Sequence, residues 1–253
     1  MHHRGTMPKP NDLHHLAIAT ADIKTQIEFF SDVLGMELVA LYWMHGVDGC
    51  FHGFLKLHDK ASVAFVQTPD NHKIPSEIGV THAGNPGGSC APGTMQHVAL
   101  NVESEADLVA MRDRIRSRGI QVLGPIDHGM CKSIYFAGPE NLMLELSTSA
   151  EAIDARQWID PEVVALAGIS AAELERYIHP SREMGKGGTV PQPPYDPAKP
   201  NPTMPEHMRV LLSWSDEQVT AMLSQNEPPV KIAPAARSVR DPADSTADRG
   251  PAV

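Results

Sequence analysis

The sequence predicts an α+β fold made of two βαβββ modules, and three observations carry that prediction. The segments LHHLAIAT at 13–20 and MQHVALNV at 95–102 repeat one pattern of residue types: apolar, polar, His, apolar, Ala, apolar. Each is followed by apolar residues at helical spacing up to a glycine. Each helical segment is then followed by three strand-length apolar segments. We therefore place one module at 13–67 and a second at 95–149.

The first module begins with a strand at 13–19. Its helix is expected from Asp22 to Leu34, because apolar residues recur there at helical spacing and Gly35 follows as a stop. Three strands then follow, the last two joined by the tight HDKA connection: MELVALYW, CFHGFLKL and SVAFVQ.

The second module repeats this order. A strand is expected at 95–102 and a helix from Glu105 to Ser117, ended by Gly119. The three strands that complete the module are IQVL at 120–123, KSIYFA at 132–137 and LMLELS at 142–147.

Four further segments surround the modules. They are an N-terminal tail at 1–12, a connecting loop at 68–94 rich in Gly, Pro, Asn and Ser, a helical and proline-rich extension at 150–232, and a disordered tail at 233–253.

The extension has its own pattern. A capping box from Ser170 to Glu173 opens the second of two helical pieces, and a last helix is expected to start at Ser215. Seven prolines fall between Pro191 and Pro205, a density that indicates an extended arm. Such an arm is expected to pack on its own domain or to embrace a neighbouring subunit of a homo-oligomer.

Composition excludes several classes of function. A formal charge of -10 without a Lys or Arg cluster argues against nucleic acid or an anionic membrane as partner. No apolar run is long enough to span a membrane, and the first residues lack a signal-peptide core. Three scattered cysteines fit a reducing compartment. We expect a cytoplasmic protein with a small-molecule ligand.

Strand parity separates the two adjacent histidines of the first segment. Side chains alternate faces along a strand, so His14 shares a face with the bulky Leu16 and Ile18, whereas His15 shares one with alanines. His97 occupies the equivalent alanine-lined face of the second module. His15 and His97 are therefore the functional pair, and His14 is a bystander; the alternative for each is a hydrogen-bonded structural histidine.

Glu145 lies in mid-strand between leucines, on the face opposite to them. A buried carboxylate is costly without a compensating cation, and a metal would provide one. Two histidines and one carboxylate form the facial triad typical of non-haem Fe(II) sites. Alignment of SVAFVQ with LMLELS places Phe65 at the position of Glu145 in the first module, so a fourth ligand is missing and an apolar wall is expected. The alternative for Glu145 is a glutamate on an edge strand that is exposed to solvent.

These modules, with their HLAI and HVAL openings, resemble the vicinal oxygen chelate superfamily of glyoxalase, bleomycin-resistance and dioxygenase proteins. The resemblance covers 13–149 and implies modules paired into an open, cup-like mixed β-barrel. The stretch IDHGMCKSIYFAGPENLMLE at 126–145 is similar to the signature of type I extradiol ring-cleaving dioxygenases. The positions in register are His128, Ile134, Tyr135, Pro139 and Glu145, whereas Gly138 and Asn141 depart from it.

The resemblance implies an Fe(II)-dependent extradiol-type dioxygenase that cleaves the ring of a catechol or similar vicinal diol with O2. It implies that His15, His97 and Glu145 hold the metal, with Mn, Zn or Ni as alternatives to iron. His128 and Tyr135 would hydrogen-bond the substrate. The alternative for Tyr135 is a tyrosine that fills the core.

Extradiol enzymes carry a further acid–base histidine in the first module, at a position near Ser62 here. Since that position is not a histidine, His52 and His58 are the candidates for the role, and ordinary surface histidines are the alternative for both. Two other functions are carried alongside the dioxygenase. One is a metal-dependent lyase, isomerase or transferase of the glyoxalase type, and the other is a non-catalytic protein that binds an aromatic compound and confers resistance to it.

Overall fold

A computed structural model describes residues 9–181 and 186–232, so the expected disordered tail at 233–253 lies outside the described residues. Both βαβββ modules are present. The first contains β1 (His15–Ala19), α1 (Ile23–Glu28), which continues as a π-helical turn at Phe29–Val33, β2 (Leu38–Trp43), β3 (Phe51–His58) and β4 (Ala61–Gln67). The second contains β5 (Val98–Asn101), α2 (Glu105–Ser117), β6 (Leu123–Asp127), β7 (Lys132–Ala137) and β8 (Met143–Thr148).

Each module folds into one four-stranded mixed sheet. The strand order is β1-β4-β3-β2 in the first sheet and β5-β8-β7-β6 in the second. In both, the opening strand lies parallel to the last strand, and the other pairs are antiparallel. The opening strand is therefore an edge strand, and its histidine lies at the margin of the sheet.

One apolar core joins the two modules. Leucine, isoleucine, valine and phenylalanine side chains from both sheets and both helices form a single buried cluster. Phe30 and Phe65 meet edge to face there, with ring centroids 5.0 Å apart, and Leu108 and Ile115 of α2 belong to the same cluster. Burial of apolar area of this kind is the main source of folding free energy. The helix-facing side of each sheet is therefore buried in this core.

The sequence pattern predicted the bounds of the second helix correctly and the bounds of one strand incorrectly. The predicted helix from Glu105 to Ser117 is confirmed, and Ser104 caps it by accepting from the amide of Asp107. The strand predicted at 120–123 is wrong, because pairing with β7 starts only where Leu123 meets Tyr135. Residues before it form the loop after α2, where the guanidinium of Arg116 donates to the carbonyl of Val122.

The extension beyond the second module contains short helices with exposed surfaces. They are α3 (Ala155–Trp158), α4 (Pro161–Leu166), α5 (Ala171–Ile178), a 3-10 helix at Glu206–Ser213 and α6 (Asp216–Leu223). The capping box at Ser170 is confirmed, and Ser215 caps α6 in the same manner. Within the two described ranges, the helices are all too short or too polar to cross a bilayer.

A buried hydrogen-bond group around Glu140 ties the second module to the first. Its carboxylate accepts from the Thr20 hydroxyl at 2.6 Å, the Ala21 amide at 2.8 Å and the Gln26 side-chain amide at 2.8 Å. Thr20 and Gln26 are almost fully buried, so these donors depend on the carboxylate. Glu140 itself lies in the 3-10 turn at Pro139–Asn141 with a positive φ of 56°. The turn before β8 is therefore held in place by the end of β1.

Glu140→Gln tests this link. The substitution keeps the shape of the side chain but turns an amide donor toward groups that are themselves donors, so we expect a loss of about 1.5–3 kcal/mol of unfolding free energy. Chemical denaturation measures it. The control is Glu103→Gln at an exposed position, and equal stabilities of the two variants would contradict the link.

Candidate metal centre

His97 and Glu145 meet on the open face of the second sheet. Ala99 pairs with Glu145 in the parallel register, which brings His97, two residues earlier, alongside the carboxylate. The Nε2 atom of His97 lies 3.0 Å from Oε2 of Glu145. Glu145 is only 5% exposed, whereas the His97 side chain is 35% exposed. The prediction that Glu145 shares a face with His97, opposite to the leucines of the core, is confirmed.

Each of the two side chains has a second partner that fixes its orientation. The Nδ1 atom of His97 contacts Oε1 of Gln96, so Nε2 is the nitrogen that faces Glu145. The Gln96 amide nitrogen in turn donates to the carbonyls of Pro86 and Gly88, which anchors the connecting loop beside the site. The Ser147 hydroxyl donates to Oε1 of Glu145, so Oε2 faces His97.

Tyr135 lies beside this pair. It pairs directly with Glu145 across β7 and β8, and its hydroxyl lies 3.0 Å from Nε2 of His128 in the exposed β6–β7 hairpin. Burial raises the pKa of the Tyr135 hydroxyl; a hydrogen bond with Ser133 opposes this by a smaller amount, and the charge of Glu145 adds a still smaller increase. Tyr135 is therefore a neutral phenol near neutral pH. Its neighbours Ile134 and Phe136 belong to the core, as parity predicted.

His15 lies on the open face of the first sheet, among aromatic side chains. Its ring centroid is 5.5 Å from Phe54 and 6.3 Å from His52. Tyr42 completes this surface, since its ring stacks parallel to Phe54 and its hydroxyl lies 3.4 Å from Nδ1 of His52. His14 is exposed, and its Nδ1 lies 2.9 Å from Nδ1 of His15. The first face thus offers one imidazole and an aromatic floor.

The two candidates for the distal acid–base role have different surroundings. His58 is exposed at the end of β3, where Nε2 contacts Asp12 at 2.9 Å and Nδ1 accepts from the Lys60 amide. His52 is 8% exposed and shares the face of His15. Its Nε2 has no hydrogen-bond partner in the described part of the chain. Burial lowers the pKa of His52, and His15 acts in the same direction, so the imidazole is neutral.

The three predicted metal ligands do not converge within one chain. His15 belongs to the first sheet, whereas His97 and Glu145 belong to the second. Among the described residues, no group of three or more His, Cys, Asp or Glu side chains is arranged to hold a metal ion. The chain brings together two of the ligands and leaves the third on a separate open face.

The predicted counterpart of Glu145 in the first module needs a correction. Ala17 pairs with Ala64 as Ala99 pairs with Glu145, so Ala64, and not Phe65, is the counterpart of the carboxylate. Phe65 points into the core against Phe30. The alignment was shifted by one residue because β4 already starts at Ala61, and a one-residue shift exchanges the faces of a strand. The apolar wall of the first face is therefore Phe54, whose ring centroid lies 5.5 Å from that of His15.

Two distant segments border the second face. A cavity of about 780 Å³ is lined by the loop at 84–86, residues 119–123 after α2, Tyr135 and Met143. In the extension, Trp158 packs against Gly129, next to His128, and a Cβ at Gly129 would lie 2.7 Å from the indole ring. Gly129 also has a φ of +82°, so a glycine is required there on two grounds. No sequence pattern had indicated that the extension reaches this hairpin.

Two βαβββ modules joined through their helices define a glyoxalase-like protein. The chain belongs to the glyoxalase/bleomycin resistance protein/dioxygenase superfamily, whose family model matches residues 12–146. Biphenyl-2,3-diol 1,2-dioxygenase 3 of Rhodococcus globerulus is 23% identical over 134 residues, which are 53% of this chain and 61% of that protein. Biphenyl-2,3-diol 1,2-dioxygenase 2 of the same organism is 26% identical over 132 residues, 52% of this chain and 60% of that protein.

The chain therefore matches less than two thirds of the length of either curated relative. Among solved structures, the glyoxylase/bleomycin resistance protein/dioxygenase domain from Frankia sp. EAN1pec is 13% identical, with a TM-score of 0.43. That comparison covers 56% of this chain and 99% of the Frankia chain.

The surroundings of His52 predict a pH dependence of stability. Because the folded-state pKa is lowered, the unfolded chain binds a proton below the ordinary histidine pKa of about 6.5 before the folded chain does. The contribution of His52 to stability is therefore present above that pH and lost as the pH falls through the folded-state pKa. We expect His52→Gln to flatten the decline of unfolding free energy between about pH 7.5 and 5. Denaturation at several pH values measures it, with His72→Gln in the exposed loop as control; an unchanged decline in His52→Gln would contradict the assignment.

Proposed function

We propose that the protein is an Fe(II)-dependent dioxygenase that cleaves the ring of a catechol or similar vicinal diol with O2. The observation that carries the proposal is the His97–Glu145 pair at 3.0 Å, on an open face beside the hydrogen-bonded Tyr135 and His128. The similarity to the two biphenyl-2,3-diol dioxygenases supports the same class of substrate.

The residues on these faces fit a divalent metal. Glu145 is buried, and the imidazole of His97 turns its Nε2 toward the carboxylate at 3.0 Å. Imidazole nitrogen and carboxylate oxygen suit Fe(II), and they also suit Mn(II), Zn(II) and Ni(II). His15, His97 and Glu145 would hold the metal. When bound, it would lower the pKa of the diol hydroxyls and supply the redox chemistry with O2.

A second copy of the chain would supply the missing ligand. One face carries His15, the other carries His97 and Glu145, and the opening strand of each face is exposed. In a two-fold symmetric dimer, the first face of one protomer lies against the second face of its partner, and two identical three-ligand sites form. The proposed function therefore includes a homo-oligomer in which two protomers contribute ligands to each metal site.

The other residues of the two faces bind and orient the substrate. Phe54 and Tyr42 offer a flat aromatic surface to the ring of a catechol. Tyr135 is held protonated by its raised pKa and donates a hydrogen bond, and Nε2 of His128 lies at hydrogen-bond distance from its hydroxyl. His52 belongs to the His15 face, its buried Nε2 has no hydrogen-bond partner among the described residues, and it is the candidate to accept a proton from the diol.

Two other functions make different predictions. A non-catalytic protein that binds an aromatic compound is favoured by the separation of the three ligands within one chain. A glyoxalase-type lyase, isomerase or transferase is disfavoured by Ala64, since no carboxylate occupies the fourth symmetric position. Metal content and consumption of O2 distinguish all three.

Metal dependence is the first test. Protein prepared without oxygen and supplied with Fe(II) should consume O2 with a catechol and form a yellow ring-fission product. His15→Ala, His97→Ala and Glu145→Ala should each lose most of the bound metal, because three ligands leave no redundancy. The control, His14→Ala, should keep it.

Tyr135→Phe separates chemistry from metal binding. It should keep its iron and lose turnover by about 10–1,000-fold, the range for removal of one hydrogen-bond or proton-transfer group. Turnover without O2 consumption, or equal turnover with Zn(II), would favour the lyase or isomerase. Binding of a catechol without metal or turnover would favour the binding protein.

Mixing of two inactive variants tests the shared site. His15→Ala and Glu145→Ala protein, unfolded and refolded together in equal amounts, should regain about a quarter of the wild-type iron and turnover, because a mixed dimer has one intact site and one doubly altered site. Each variant refolded alone is the control. If all three ligands came from one chain, every site in the mixture would be defective and nothing would be regained.

A further inference from the structure

A chain of hydroxyl groups runs through the second sheet and ends on the carboxylate of Glu145. The Ser147 hydroxyl contacts Oε1 of Glu145, and the Ser133 hydroxyl lies 2.8 Å from that of Ser147. Ser133 is fully buried, and Ser147 follows Glu145 on the same face of β8. Ser133 and Ser147 are directly paired across β7 and β8, so the sheet register fixes the contact.

The direction of these hydrogen bonds follows from their ends. An ionised carboxylate only accepts, so Ser147 donates its proton to Glu145. The Ser147 oxygen is then free to accept, and the buried Ser133 hydroxyl donates to it. The thiol of Cys131, 3.7 Å from the Ser133 oxygen, closes the series. With Ser147 donating to Glu145 and Ser133 donating to Ser147, the series is directed toward the carboxylate.

We propose that Ser147, oriented by Ser133, is a positioning residue that makes Glu145 a one-oxygen metal ligand. The Ser147 hydroxyl occupies Oε1, and Oε2 is turned to the side of His97, where the metal would be held. Without the hydroxyl, both carboxylate oxygens would be available to the metal. This role rests on the proposed function, since it requires the metal centre described above.

A purely structural role predicts a different result. If Ser147 only compensated the burial of Glu145, its loss would lower stability and leave the geometry of a bound metal unchanged. A positioning role changes both the affinity for the metal and its coordination number. Hydrogen-bonding partners of ligands in other metal sites typically contribute 10–100-fold to affinity, which sets the size of effect to look for.

Co(II) binding to the full-length protein, without substrate, tests the proposal. Ser147→Ala should bind Co(II) about 10–100-fold more weakly than wild type. Its visible absorption should be weaker, because a second carboxylate oxygen raises the coordination number. Ser147→Thr keeps the hydroxyl and should restore both properties. Ser133→Ala leaves the Ser147 hydroxyl in place and should give a smaller change in the same direction.

The control is Ser104→Ala, which removes the cap of α2 and none of the hydrogen bonds of the series. It should lower the melting temperature without any change in Co(II) affinity or spectrum. If Ser147→Ala does not fold, the Ser133→Ala variant decides, since an unchanged spectrum and affinity there would overturn the role of the series.

The two proposals fail in different ways. Wild-type protein that binds Co(II), together with Ser147→Ala that binds it with equal affinity and an equal spectrum, would overturn the positioning role and leave the metal centre intact. Wild-type protein that does not bind Co(II) would overturn the metal centre, and the positioning role with it.

Discussion

A carboxylate buried in the middle of a β-strand is the constraint around which the second module is arranged. Glu145 is 5% exposed, with core leucines directly before and after it in the strand. Such a group is tolerated only where hydrogen-bond donors or a cation meet both oxygens. His97 meets one oxygen and Ser147 the other. The parallel pairing of β5 with β8 has the register Ala99 opposite Glu145, and this register brings His97, Glu145 and Ser147 together.

Repetition of the fold without repetition of the chemistry explains the division between the two faces. The same strand order places His15 and His97 at equivalent margins of their sheets. At the position of the carboxylate, however, the first module has Ala64, and its surface is completed by the rings of Phe54, Tyr42 and His52. One face is therefore suited to a planar ring and the other to charge and protons. Under the proposed function, an aromatic diol would use both.

Properties that depend on strand periodicity were predictable from sequence, whereas those that depend on exact register or packing were not. The choice of His97 and Tyr135 for the open face needed only alternation, and the structure confirms it. Phe65 was misplaced because its identification needed the first residue of β4, which alternation does not give. The contacts of Glu140 with the first module and of Trp158 with Gly129 join residues far apart in the chain, and no local pattern marks them.

The packing of the helices decides how the two faces are used. Side chains from both helices enter one core, so the helix-facing sides of the sheets are consumed within the chain. The bonds of Glu140 to Thr20, Ala21 and Gln26 fix the second module to the first in that arrangement. If the two open faces of one chain were to meet each other, the hydrogen bonds of Glu140 and the shared apolar core would have to break. Under the proposed function, a three-ligand centre is therefore reached at lower cost by association of two folded chains, and assembly and formation of the metal site become one event.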